Sequence, residues 1–173
     1  KSNELNNLME KFPDTLKYLQ YDLINNYDIK QKIFKDWIGV YTPIHGLVNN
    51  AAIAYDDIST NMNLKTLEDM YKINVFSPMI LIKYTIRQMI LNQIKGSIVN
   101  ISSISVHTGY KGLSMYASTK GALEAFSKNI SRKPLLRCCC AARTWWVTAI
   151  TPTTWCVLLS TRPAKSELTF SVA

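Results

Sequence analysis

A phenol and an ammonium stand four residues apart in Tyr116-Ala117-Ser118-Thr119-Lys120. On a helix that spacing puts both side chains on one face. A tyrosine with its ordinary pKa of about 10 is a poor base near neutrality. Lowering it by roughly 3 units takes about 4 kcal/mol of preference for the phenolate. One cation about 4 Å away, at an effective dielectric of 20, supplies roughly that amount. The pair can therefore trade a proton with a bound oxygen. The spacing alone is not specific, since many helices carry Tyr and Lys four apart. Two more polar residues sharpen it. Ser103 lies 13 residues before Tyr116, just after an apolar run, where a hydroxyl can hold a substrate oxygen. Its ordinary alternative is a turn or helix cap. Asn74 falls inside a helical stretch, an unfavourable place for Asn unless its side chain finds a partner.

Positioning these groups requires a scaffold, and residues 1–132 read as an alternation of helix and strand. Leu5, Leu8, Met9 and Phe12 recur at helical spacing before Pro13. Residues 16–21 read as a short strand ending at Asp22. Ile29, Ile33, Phe34 and Trp37 mark one face of a helix over about 28–40. Ile44 to Val48 read as a strand bounded by Pro43 and by Asn49-Asn50. A helical stretch over about 63–93 contains Pro78, which predicts a bend. Residues 96–102, Gly-Ser-Ile-Val-Asn-Ile-Ser, form a β-branched strand suited to the middle of a sheet. Ser114 opens a helix through Ile130. Strands joined by helices of this length imply a parallel sheet, in which ligands bind beyond the carboxyl ends of the strands. Asn49-Asn50 and Ser102-Ser103 sit at those ends.

Composition excludes more than it identifies. The 173 residues are 47% hydrophobic and 18% charged, a globular balance. No apolar run reaches the roughly 18 residues that span a bilayer. The polar start, which lacks Met, reads as an internal cut with no secretory segment, and the expected location is cytoplasmic. The net charge of +8 is not gathered in one block. Lys30, Lys32 and Lys35 alternate with Asp28 and Asp36, a solvated helix face and no nucleic-acid patch. Composition shifts near Lys133. All four cysteines and three of the four tryptophans lie beyond it, and all six glycines before it. Cys138-Cys139-Cys140 has no metal-ligand spacing. Residues 133–173 thus read as an atypical tail foreign to the preceding domain.

Taken together, Leu47-Val48-Asn49-Asn50-Ala51-Ala52, Ile73-Asn74-Val75, residues 98–103 and the Tyr116–Lys120 segment resemble the short-chain dehydrogenase/reductase family. The likeness covers residues 1–132 and lies nearest the 3-oxoacyl-carrier-protein reductase group. It implies an α/β fold, an incomplete Rossmann-type doubly wound parallel sheet with flanking helices. It also implies an oxidoreductase that uses NAD or NADP to interconvert a small-molecule carbonyl and a secondary alcohol. Tyr116 would be the general acid/base, Lys120 would lower its pKa and hold the nicotinamide ribose, and Ser103 would steady the reacting oxygen. Asn74 would hold a water in a relay to Lys120. Asn49 and Ala51 would line the cofactor site, and Asp22-Leu23 would meet the adenine side. No metal is implied. Family members pair as dimers or tetramers through long helices, here about 63–93 and 115–130.

The chain also departs from the pattern. None of its six glycines forms the Gly-rich phosphate fingerprint expected a few dozen residues upstream. The first strand, loop and helix of the family are therefore expected to be missing, with weak cofactor binding as the consequence. Residues 147–152 only faintly echo the strand and Pro-Gly turn expected after the catalytic helix, and Ala52 stands where Gly is usual. A different class of reading is a truncated, inactive paralogue acting through subunit contacts.

Overall fold

The computed structural model describes residues 3–13, 16–131, 137–141, 156–162 and 165–172, the last three as backbone strands. The echo over 147–152 lies outside these residues. Helix α1 spans Asn3–Lys11. Leu5 is buried, whereas Leu8 and Phe12 stay about half exposed, so this short helix packs through one edge of its apolar stripe. The next expectation needs correction: residues 16–21 form no strand, and Asp22 makes a single bridge. The segment is held instead by side chains, with Tyr21 and Leu23 buried.

The stripe over 28–40 folds as a tight turn at Asn26–Asp28 followed by a wide, π-type helix, Lys30–Trp37. Its closing bond runs five residues back, from the Ile38 N–H to the Ile33 carbonyl at 2.9 Å. The face is nevertheless the expected one, since Ile29, Ile33 and Phe34 are buried. Strand β1, Gly46–Asn49, and strand β2, Ser97–Ile101, pair in parallel with Asn49 opposite Asn100. Gly96 admits no side chain, because a Cβ there would stand 2.2 Å from the Met89 Cε and 2.9 Å from the His45 carbonyl.

Between these strands run helix α2, Leu64–Tyr71, a wide turn Lys72–Phe76, and helix α3, Ser77–Leu91. Asn63 caps α2 through its side-chain oxygen, which accepts the Thr66 N–H at 3.1 Å. Pro78 sits in the first turn of α3, directly after this wide turn. Proline has no N–H to give to the carbonyl four residues back, and that carbonyl belongs to Asn74. Widening the helix just before Pro78 relieves the mismatch, and such single wide turns are frequent at functional sites.

After β2 comes a short helix, α4, Ser105–Thr108, which the sequence pattern did not suggest. Helix α5 spans Ser114–Ile130, as its sequence predicts. Strands β3 (Arg137–Ala141), β4 (Cys156–Arg162) and β5 (Lys165–Val172) complete a sheet of order β3-β2-β1-β4-β5. All pairings are parallel except β4 with β5. Strand β1 thus has a neighbour on each edge, β2 and β4, and residues 16–21 have no ladder to join there. The apolar core gathers Ile29, Ile33, Leu47, Ile73, Ile82 and Ile98 between the sheet and its helices. Among the described residues, no helix is long and apolar enough to cross a membrane.

Candidate active site

The carboxyl ends of β1 and β2 open toward α5, and the polar residues collect there. Tyr116 and Lys120 lie on consecutive turns of α5. The Tyr116 side chain is half-buried, and Ser103 on the loop after β2 is the polar side chain that acts on its phenol. Ser103 also receives the Ser105 hydroxyl at 2.9 Å, so its orientation is fixed from the first turn of α4. Lys120 is 2% exposed. Its Nζ sits 5.8 Å from the centre of the Tyr116 ring and donates to the Ile101 carbonyl at 2.7 Å.

The electrostatics differ from the sequence expectation. Burial pushes the Tyr116 phenol above its ordinary value, and the hydrogen bond with Ser103 pulls the other way. Lys120 faces the ring rather than the hydroxyl, so it is Ser103 that opposes burial here. Burial also lowers Lys120, from 10.5 to about 8, because its charged form loses water. An ammonium carries three donors, and among the described residues Lys120 uses one, on Ile101. A ligand rich in hydroxyl acceptors, such as a ribose, fits the remaining two. Asn49 offers a second such opening: it is 3% exposed, and its side-chain oxygen has no partner among the described residues.

Asn49 and Asn100 close the strand ends together. The Asn49 amide donates to the Asn100 side-chain oxygen at 2.7 Å, and the Asn100 amide to Ser127 on α5 at 2.8 Å. Ala51 is buried beside them. Asn74 sits in the wide turn and is 1% exposed. Its amide donates to the Ile53 carbonyl and to Thr119 at 2.8 and 3.0 Å, and its oxygen accepts the Ile53 N–H at 2.9 Å. Both amide donors are thus occupied, and the side chain clamps the chain after β1 to α5. A water held for Lys120 would have to use another group of Asn74.

The structure therefore brings Ser103, Tyr116 and Lys120 together and joins Asn74 to them through Thr119, whose hydroxyl donates to the Tyr116 carbonyl at 2.7 Å. Asp22 and Leu23 make other contacts. An Asp22 carboxylate oxygen accepts the Ile24 N–H at 3.0 Å, the Leu23 side chain is 1% exposed in the core, and its carbonyl accepts the Ser77 hydroxyl. Sequence reasoning missed Thr119, Ser105 and Glu124. The polar residues Thr119, Lys120, Glu124 and Ser127 recur at helical spacing on the buried face of α5, a signal that would have found two of them. A groove of ≈ 490 Å³ lined by Tyr27, Lys30, Phe76 and Lys83 shares no residue with this group.

A family model described as short chain dehydrogenase matches residues 1–135. L-xylulose reductase of Caenorhabditis elegans is 29% identical over 132 residues, 76% of this chain and 53% of that protein. The 3-oxoacyl-(acyl-carrier-protein) reductase of Aquifex aeolicus (strain VF5) is 30% identical over 131 residues, 68% of this chain and 52% of that protein. The crystal structure of a short-chain dehydrogenase from Streptomyces avermitilis superposes with a TM-score of 0.74 at 26% identity, covering 82% of this chain and 53% of that one. The chain spans about half the length of the curated relatives it matches.

Proposed function

The chain belongs to the short chain dehydrogenase family, and on that premise we propose that its Tyr116 group serves an NAD(P)-dependent oxidoreductase interconverting a small-molecule carbonyl and a secondary alcohol. The observation that carries this reading is the buried Lys120 with its Nζ 5.8 Å from the centre of the Tyr116 ring, beside Ser103 at the end of β2.

The nucleotide, when bound, supplies or accepts the hydride. The protein's own groups manage the oxygen and its proton. Ser103 holds the carbonyl oxygen by a hydrogen bond and orients it toward Tyr116. Burial keeps the phenol protonated at neutral pH, the form that can give a proton to that oxygen during reduction. Lys120 holds the nicotinamide ribose with its two spare donors. Acceptors there favour its charged form, which in turn stabilises the phenolate left after proton transfer. Asn74 keeps the chain beyond β1 fixed against α5. Asn49 and Ala51 line the cofactor side, and the exposed Asp22 with the Leu23 backbone faces the adenine end. Subunits pair through α2–α3 and α5.

The test is nucleotide titration by fluorescence with NADPH and NADH, followed by turnover at 340 nm on a panel of ketones. The expected result is nucleotide binding by both the native chain and Tyr116→Phe, with turnover lost in the variant. Equal turnover in the variant, or no binding of either nucleotide, would reject the reading.

A further inference from the structure

Glu124 is the single buried carboxylate among the described residues, 5% exposed. Burying a carboxylate is costly unless it is paired and hydrogen-bonded. Its position is no accident of packing: Tyr116, Lys120 and Glu124 follow one another at four-residue steps along α5. Its Oε1 accepts the Ser102 hydroxyl and lies 3.3 Å from the His107 Nε2. Its Oε2 lies 3.9 Å from the Lys128 Nζ, a contact that is weak because the Lys128 side chain is 72% exposed. His107 and Lys128 are the basic side chains nearest it among the described residues, and Lys120 one turn earlier is turned to Ile101.

Ser102 immediately precedes Ser103. His107 belongs to α4, whose first residue, Ser105, bonds the Ser103 hydroxyl. Glu124 therefore grips the segment on both sides of Ser103 and fastens it to the helix that carries Tyr116. We propose that Glu124 is a positioning residue, which holds the Ser102–His107 segment on α5 so that the Ser103 hydroxyl meets the Tyr116 phenol. The proposal deepens the reading above and rests on it only for the consequence to rate. The geometry itself concerns three groups of the free chain.

The experiment reads Tyr116 directly, without substrate or nucleotide. The chain is labelled with 13Cζ-tyrosine, the Tyr116 resonance is assigned by its loss in Tyr116→Phe, and its chemical shift and titration are followed. Ser103→Ala gives the displacement that accompanies loss of the hydroxyl contact. Glu124→Ala is expected to reproduce at least half of that displacement in the same direction. Glu124→Gln keeps an acceptor for Ser102 and is expected to restore the native resonance. Ser102→Ala cuts the tie from the loop side and serves if Glu124→Ala does not fold. A folded Glu124→Ala or Ser102→Ala protein with native Tyr116 behaviour, alongside a displaced Ser103→Ala, overturns the proposal. So does a Tyr116 resonance indifferent to Ser103→Ala. A chain without dehydrogenase turnover that still shows the Glu124 displacement sinks the reaction and leaves the positioning role standing.

Discussion

Helices α3 and α5 are of similar length, and both lie against the sheet, yet they bury different chemistry. Toward the core α3 turns Leu81, Ile82 and Met89 with the uncharged Ser77, Thr85 and Gln88, the last donating to the Gly39 carbonyl at 2.7 Å, and it buries no charged side chain. The buried positions of α5 include Thr119, Lys120, Glu124 and Ser127. On α3 the hydrophobic effect is the main term, at about 25 cal/mol per Å² of apolar surface removed from water. On α5 each buried polar group needs a partner, and each has one: Asn74, Ile101, Ser102 and Asn100 respectively. A helix built only for packing would not bear the desolvation of an ammonium and a carboxylate one turn apart. The contrast separates the residues that make the fold from those the fold exists to hold.

If that contrast is sound, substitutions on the two helices should fail in different currencies. The largest effect expected is on rate: Tyr116→Phe should lower turnover by about 10²–10⁴-fold, the usual contribution of a general acid. Its melting temperature should stay near native, and a large destabilisation would blur the division between the helices. Ile82→Ala should do the opposite. Removing a fully buried side chain from α3 should cost about 2–5 kcal/mol in denaturant unfolding.

Lys120 offers a sharper test because its cost depends on pH. Its folded pKa of about 8 lies below the ordinary 10.5. Between those values the unfolded chain binds more protons than the folded one, so stability rises with pH across that window. Native protein should therefore gain stability relative to Lys120→Met from pH 7.5 to 9.5. The full window corresponds to about 3 kcal/mol by linkage. A flat difference across that range would mean the ammonium is not desolvated. The smallest effect is expected from Asn74→Ala, which leaves the peptide groups of Ile53 without their partner. That should cost about 1–3 kcal/mol and raise hydrogen exchange at Ile53.

Much of the site was legible before any coordinates. The Tyr116–Lys120 spacing needs only a helix, and α5 formed over the expected residues. Ser103 follows a β-branched strand, and strand ends open into crevices in parallel sheets. Asn74 needed partners inside a helix and has them. Other features were not legible. The strand read over 16–21 depended on a neighbour in the sheet, and that edge of β1 is taken by β4. The wide helix at Lys30–Trp37 has the same apolar stripe as an α-helix, since both bury one face. Glu124 and Thr119 looked like ordinary polar helix residues until their burial was known.

Local spacing determined that Tyr116 and Lys120 can share a helix face, and the family resemblance added the Ser103 hydroxyl to them. The first is a property of neighbours along the chain, fixed by helical periodicity. Folding in three dimensions decided how the group is tuned. It turned Lys120 toward Ile101, set Ser103 against the phenol, and tied both sides of Ser103 to Glu124. Desolvation and hydrogen bonding depend on what surrounds an atom, and those surroundings come from distant segments, as in the Asn49–Asn100 pair, 51 residues apart.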